Sequence, residues 1–155
     1  MATKKDYEDF LAEIRKTSGI GSLVPDDSGL VSVRIDDAYN VNLQFVEATG
    51  KILCFVEVAE LPRDASKAVY RDLLVGCLFG KDTAGGYFAL EPESETVVYN
   101  YFFDFENVSA DVDDFISKLE KILQLCDIWS ERIRRVLSDA VDRDSALPTH
   151  DMIMA

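Results

Sequence analysis

One histidine, His150, stands in the whole sequence, and it lies close to the end. The body of the chain therefore cannot build a Ser-His or Cys-His pair, and the commonest general base is missing from it. Cysteine is scarce as well. Cys54, Cys77 and Cys126 are separated by 23 and 49 positions, which fits no metal motif, and an odd count does not suggest a disulfide framework. Three buried, reduced thiols are expected instead. No apolar run approaches the ~18 residues of a membrane span. The stretch Met1 to Asp6 has no apolar region, so no signal peptide is expected. Cations are in deficit: 16 Lys and Arg face 29 Asp and Glu, a net charge of −13. Such a surface repels nucleic acid phosphates and anionic lipid, so nucleic acid and membrane insertion are set aside, while a basic polypeptide suits it.

Phosphate-binding loops are also missing. Gly19-Ile20-Gly21 lacks a third glycine and follows a helical pattern rather than a strand. Gly85-Gly86 precedes a strand, where it reads as a tight entry to a hairpin. Carboxylates are plentiful but fall in turns and helix starts. Asp111-Val112-Asp113-Asp114 lacks the glycine and distal glutamate of a calcium loop, and favours a helix N-terminus instead. No cofactor, metal or catalytic residue is assigned. An enzyme using paired carboxylates remains the outlying alternative.

What is present is apolar patterning. A length of 155 residues suits one domain. Thr3 to Thr17 reads as a helix: Thr3 and Asp6 approximate a capping box, and Tyr7, Phe10, Leu11 and Ile14 form one stripe. Gly19 and Gly21 stop it. Three alternating strands follow, centred on Val31-Val33-Ile35, Val41-Leu43-Phe45 and Ile52-Cys54-Val56-Val58, with links short enough for an antiparallel meander. The third is apolar on both faces, which predicts cover on both sides. Leu61 to Asp64 breaks the sheet and caps a helix over about 65–79. Its second half, Leu73 to Gly80, is apolar all round, so full burial is expected. A second copy of the same helix would supply it, with Gly76 and Cys77 permitting close approach. Tyr87–Glu91 and Thr96–Phe105 form a hairpin turning at Pro92 to Glu95. A last helix over about 109–137 carries one long stripe, from Val112 through Phe115/Ile116, Leu119, Ile122/Leu123, Cys126, Trp129 and Ile133 to Val136/Leu137, with Arg132, Arg134 and Arg135 near its end.

The expected fold is α+β: a mainly antiparallel sheet with three helices in the order α-βββ-α-ββ-α, as a homodimer. Residues 1–141 form the domain and 142–155 a polar, flexible tail. Nine Phe and six Tyr exceed what three helices can readily cover, so an apolar groove is expected to remain open for a protein partner.

This order, with Asn42 to Phe45, Gly50 to Phe55, Leu73 to Gly80, Gly85 to Tyr99 and the Trp129 helix, resembles the class I type III secretion chaperones of the Tir-chaperone (CesT-like) family, over about Tyr7 to Ile133. The resemblance implies a cytoplasmic homodimer in a Gram-negative bacterium, using no ATP. It would hold an unfolded segment near the N-terminus of a secreted effector and keep it competent for export. By position, Leu74, Cys77, Leu78, Phe79, Tyr87 and Phe88 would form the dimer contact. Phe10, Ile14, Val33, Leu43, Phe45 and Phe55 would form the effector groove. The tail after Val141 would either contact the export apparatus or stay idle. A stand-alone interaction or regulatory domain of the same fold is the second reading.

Overall fold

The computed structural model describes residues 1–146. The chain opens with helix α1 (Lys4–Ser18), held at its start by the predicted capping box: the Thr3 side chain accepts from the Asp6 amide, and the Asp6 carboxylate accepts from the Thr3 amide. Gly19, in the left-handed region, closes it. Strands β1 (Leu30–Ile35), β2 (Tyr39–Val46) and β3 (Lys51–Glu60) form the meander. Then come helix α2 (Lys67–Gly76), a 3-10 turn (Leu78–Gly80), strands β4 (Tyr87–Glu91) and β5 (Thr96–Asp104), the short helix α3 (Phe105–Ser109) and the long helix α4 (Val112–Ala146). The sheet is antiparallel throughout, in the order β1-β2-β3-β5-β4. β1 and β4 are its edges.

The pairing register sorts the side chains by face. Val33 opposes Val41, Leu43 opposes Cys54, Phe45 opposes Ile52, and Ile52 in turn opposes Phe103. That face receives the α1 stripe of Tyr7, Phe10, Leu11 and Ile14 and the α4 row of Phe115, Ile122, Cys126, Trp129 and Ile133, which together form one core. Burying each large side chain contributes roughly 1.5–3 kcal/mol. An aromatic cluster sits at its centre. Tyr7 stacks on Phe45 at 5.2 Å between centroids, Phe10 meets Phe105 and Phe115 edge-on, and Phe103 meets Phe115 edge-on.

Several expectations are corrected. The other sheet face carries Leu53, Phe55, Val98 and Phe102, and these stand outside the core cluster, so β3 is not covered on both sides. The helix count rises because β5 ends one residue early. Asp104 accepts from the Glu106 amide, caps α3, and swings Phe105 from strand to helix while leaving it buried. The cap of α2 is Ser66, which accepts from the Ala68 amide, rather than the Asp64 region. α2 also stops at Gly76, short of Phe79. α4 continues to Ala146, so Arg132, Arg134 and Arg135 lie inside the helix and act through side-chain pairs instead of a terminal dipole. The expected tail begins inside that helix, and the rest of it, with His150, lies outside the described residues.

Candidate functional site

Two apolar surfaces stand out, and both arise from how the helices seat. The first is built on α2. Val69, Leu73 and Gly76 face inward. A Cβ at Gly76 would collide with the Trp129 ring, so the glycine admits this chain's own tryptophan rather than a second helix. Trp129 is fixed on several sides. Its Nε1 donates to the Asp82 carbonyl at 2.9 Å, the Phe88 ring lies 4.8 Å away edge-on, and the Arg132 guanidinium sits over it at 4.6 Å. Arg132 also grips Asp72 of α2 with two bonds of 2.6 and 2.7 Å. The planar fork of arginine makes that geometry specific.

With α2 locked this way, its remaining apolar side chains point outward. Leu74 is 73% exposed and Phe79 is 93% exposed. Val75, Leu78 and Tyr87 are exposed as well. Phe79 is held in the left-handed region at φ 59°, an unusual state for a bulky residue. Cys77 is half-buried, and its Sγ accepts from the Phe88 amide at 3.4 Å. Between α2 and β4 lies a cavity of about 180 Å³, lined by Tyr70, Leu73, Leu74, Cys77, Phe88 and Leu90 among others. Of the six residues expected at a dimer contact, Leu74, Cys77 and Phe88 line this cavity, with Phe88 half-buried against Trp129 and Tyr99. Leu78 and Phe79 are exposed in the 3-10 turn after α2, and Tyr87, next to Phe88 on β4, points to the opposite sheet face. The apolar stretch expected to be fully buried is left partly open by its own chain.

The hairpin entry beside this surface depends on a close approach. The Tyr99 hydroxyl donates to the Thr83 carbonyl at 2.8 Å, and the Thr83 hydroxyl donates to the Gly86 carbonyl at 2.6 Å. A side chain at Gly86 would overlap the Tyr99 phenol, so only glycine fits.

The second surface is a groove between the C-terminal half of α1, the β1–β2 hairpin and α4. It encloses about 310 Å³. Ile14, Val33 and Leu43 form its floor, and Ile116, Leu119 and Leu123 form its α4 wall. These six positions make it chiefly apolar. Phe10 and Phe45 do not reach it; both are buried in the aromatic cluster. Phe55 is half-buried on the opposite sheet face. The six residues assigned to an effector groove are therefore divided among three places. The α4 wall was missed, although a signal existed. The doublets Phe115/Ile116 and Ile122/Leu123 in the α4 stripe mark two parallel rows, one for the core and one beside it.

Polar chemistry is sparse. Burial pushes the Cys54 and Cys126 thiols up to about 12, so they stay protonated. Burial, aided by the Asp127 carboxylate that accepts its hydroxyl proton, raises Tyr39 well above an ordinary phenol. Asp111 caps α4 by accepting from the Asp114 amide. Among the described residues no three metal-ligating side chains converge.

Known proteins share this architecture. The Tir chaperone protein (CesT) family matches residues 9–130. A protein of Chlamydia pneumoniae is 26% identical over 105 residues, which is 67% of this chain and 77% of that protein. A chain in the crystal structure of the ExsC–ExsE complex superposes with a TM-score of 0.73 at 18% identity, covering 84% of this chain and 96% of that one. A chain in the HopA1–SchA chaperone–effector complex gives a TM-score of 0.64 at 20% identity, covering 85% and 95%. Those two similarities establish the fold, and the family match spans most of the sequence. The chain belongs to the Tir chaperone protein (CesT) family.

Proposed function

We propose that this protein is a type III secretion chaperone that binds the N-terminal region of an effector in extended form and keeps it competent for export. One observation carries the reading: this family member presents two apolar surfaces that its own helices leave open. Exposed apolar surfaces mark protein-interaction sites, and a holder of unfolded chain needs them. The α2–β4 surface supports a homodimer, with Leu74, Leu78 and Phe79 meeting their equivalents. The α1–α4 groove supports capture of client side chains. No described helix is long and apolar enough to cross a membrane. Membership of the chaperone family supports a cytoplasmic location.

Co-expression with the proteins encoded beside it tests this. One partner should co-purify, and limited proteolysis should show its bound stretch to be unfolded yet protected. If the neighbouring proteins all remain unbound and the chain stays monomeric at micromolar concentration, the proposal fails.

A further inference from the structure

We infer that the α1–α4 groove selects client segments in which apolar side chains are followed or preceded by lysine or arginine, because its open end is rimmed by unpaired carboxylates. This inference rests on the chaperone reading above and specifies the client's chemistry.

The groove does not end at its apolar floor. It runs into a second cavity of about 480 Å³ over the β1–β2 turn. Asp36, Glu120 and Leu123 line both cavities, so the two are continuous. Asp127 lines the second cavity as well, and the Tyr39 hydroxyl, donating to it, orients its carboxylate. Three carboxylates thus stand at one mouth. No lysine or arginine lines either cavity among the described residues. Five carboxylates elsewhere, Asp9, Asp72, Glu95, Asp114 and Glu131, hold ion pairs. Among the described residues no ion pair includes Asp36, Glu120 or Asp127.

Asp36, Glu120 and Asp127 are all solvent-exposed at this mouth, and their negative potential stands directly beside the apolar floor. A cationic side chain would meet that potential while its neighbours fill the apolar floor. The acidic mouth would also reject an acidic segment of equal hydrophobicity, which is specificity by repulsion. The occupant that fits both features is a client segment with apolar residues beside a basic pair.

Two short synthetic peptides provide the test. They share one pattern of leucine and isoleucine, and differ only in flanking lysine pairs or flanking glutamate pairs. Binding is read by fluorescence anisotropy. The lysine peptide should bind the full chain about tenfold more tightly at low salt, and the gap should narrow at high salt. The combined variant Asp36→Asn, Glu120→Gln, Asp127→Asn should erase the preference. A control with equal charge loss, Asp64→Asn, Glu93→Gln, Glu106→Gln, lines neither cavity and should retain it. A preference that survives in the rim variant, or vanishes equally in the control, overturns the inference. If both peptides bind wild type alike, charge selection falls and the chaperone reading stands. If neither binds, the groove is not a peptide site and the inference falls, while the co-expression test above still decides the chaperone reading. A rim variant that alters dimerisation instead of peptide binding would mark the groove as a contact between copies, and would also overturn the inference.

Discussion

Helices α1 and α2 are both rich in apolar residues, yet they end in opposite situations. α1 confines its large side chains to one stripe, and the core consumes all four: Tyr7, Phe10, Leu11 and Ile14 are buried. α2 carries more of them than its inward face can hold. The core takes Val69 and Leu73, Leu74 and Val75 remain outside, and Leu78 and Phe79 follow exposed in the 3-10 turn. The two are seated by different means. α1 is held along a wide aromatic cluster and by hydrogen bonds at its two ends, the Lys4 amide donating to the Glu47 carboxylate and Arg15 to the Leu23 carbonyl. α2 is held by one interlock, in which Gly76 accepts the Trp129 ring and Asp72 grips Arg132. An amphipathic helix finishes its work inside its own chain. A helix with apolar residues beyond its inward face, once locked, has surface left for another.

The sharpest way to break this comparison is to remove the interlock. Trp129→Ala deletes the ring that Gly76, Phe88 and Arg132 share, and should destabilise the fold by about 3–5 kcal/mol, read from urea unfolding. If the loss is small, α2 is held by something other than Trp129.

Charging the exposed side of α2 sharpens the comparison from the other direction. Leu74→Asp with Phe79→Asp should leave the monomer's fold intact but weaken self-association by about 2 kcal/mol or more, as sedimentation velocity would show. A variant that still dimerises at the wild-type concentration would move the contact away from α2.

The smallest effect belongs to the start of α1. Hydrogen bonds from the Thr3 amide and hydroxyl hold the Asp6 carboxyl below the usual carboxylate range. A lowered folded-state pKa contributes stability that is present above the unfolded value and is lost as pH falls through the folded one. Acid should therefore fray α1 from its first turn. Asp6→Asn should flatten that part of the acid limb in far-ultraviolet circular dichroism. An unchanged limb would show that packing, not the cap, fixes this end.

The sheet was almost wholly legible. Alternation in β1, β2 and β3 and the short links between them specify both pairing and register, because a one-residue slip would expose Val33, Leu43 and Cys54 together. Boundaries were harder. Nothing in the alternation of β5 shows that Asp104 will cap a helix and take Phe105 with it. The α2 surface was legible as excess hydrophobicity, but its burial was not. The pattern says that Leu74 and Phe79 need cover, and is silent on whether the chain itself provides it. Gly76 misled for a related reason: a missing Cβ signals close approach without naming what approaches. The groove assignment scattered because core and groove residues are chemically alike. Phe45 and Leu43 sit on one face of one strand, two residues apart, and only the position of α4 decides which of them lines an opening.

The thiols divide along the same line as the helices. Cys54 and Cys126 are sealed in the core and held protonated by burial. Cys77 lies half-exposed at the end of α2, beside Phe88. A maleimide dye added to the native protein would thus find one address in three. That address borders the surface proposed for a second copy, so if two copies meet there, the speed at which the unaltered chain takes up the label should fall as they assemble.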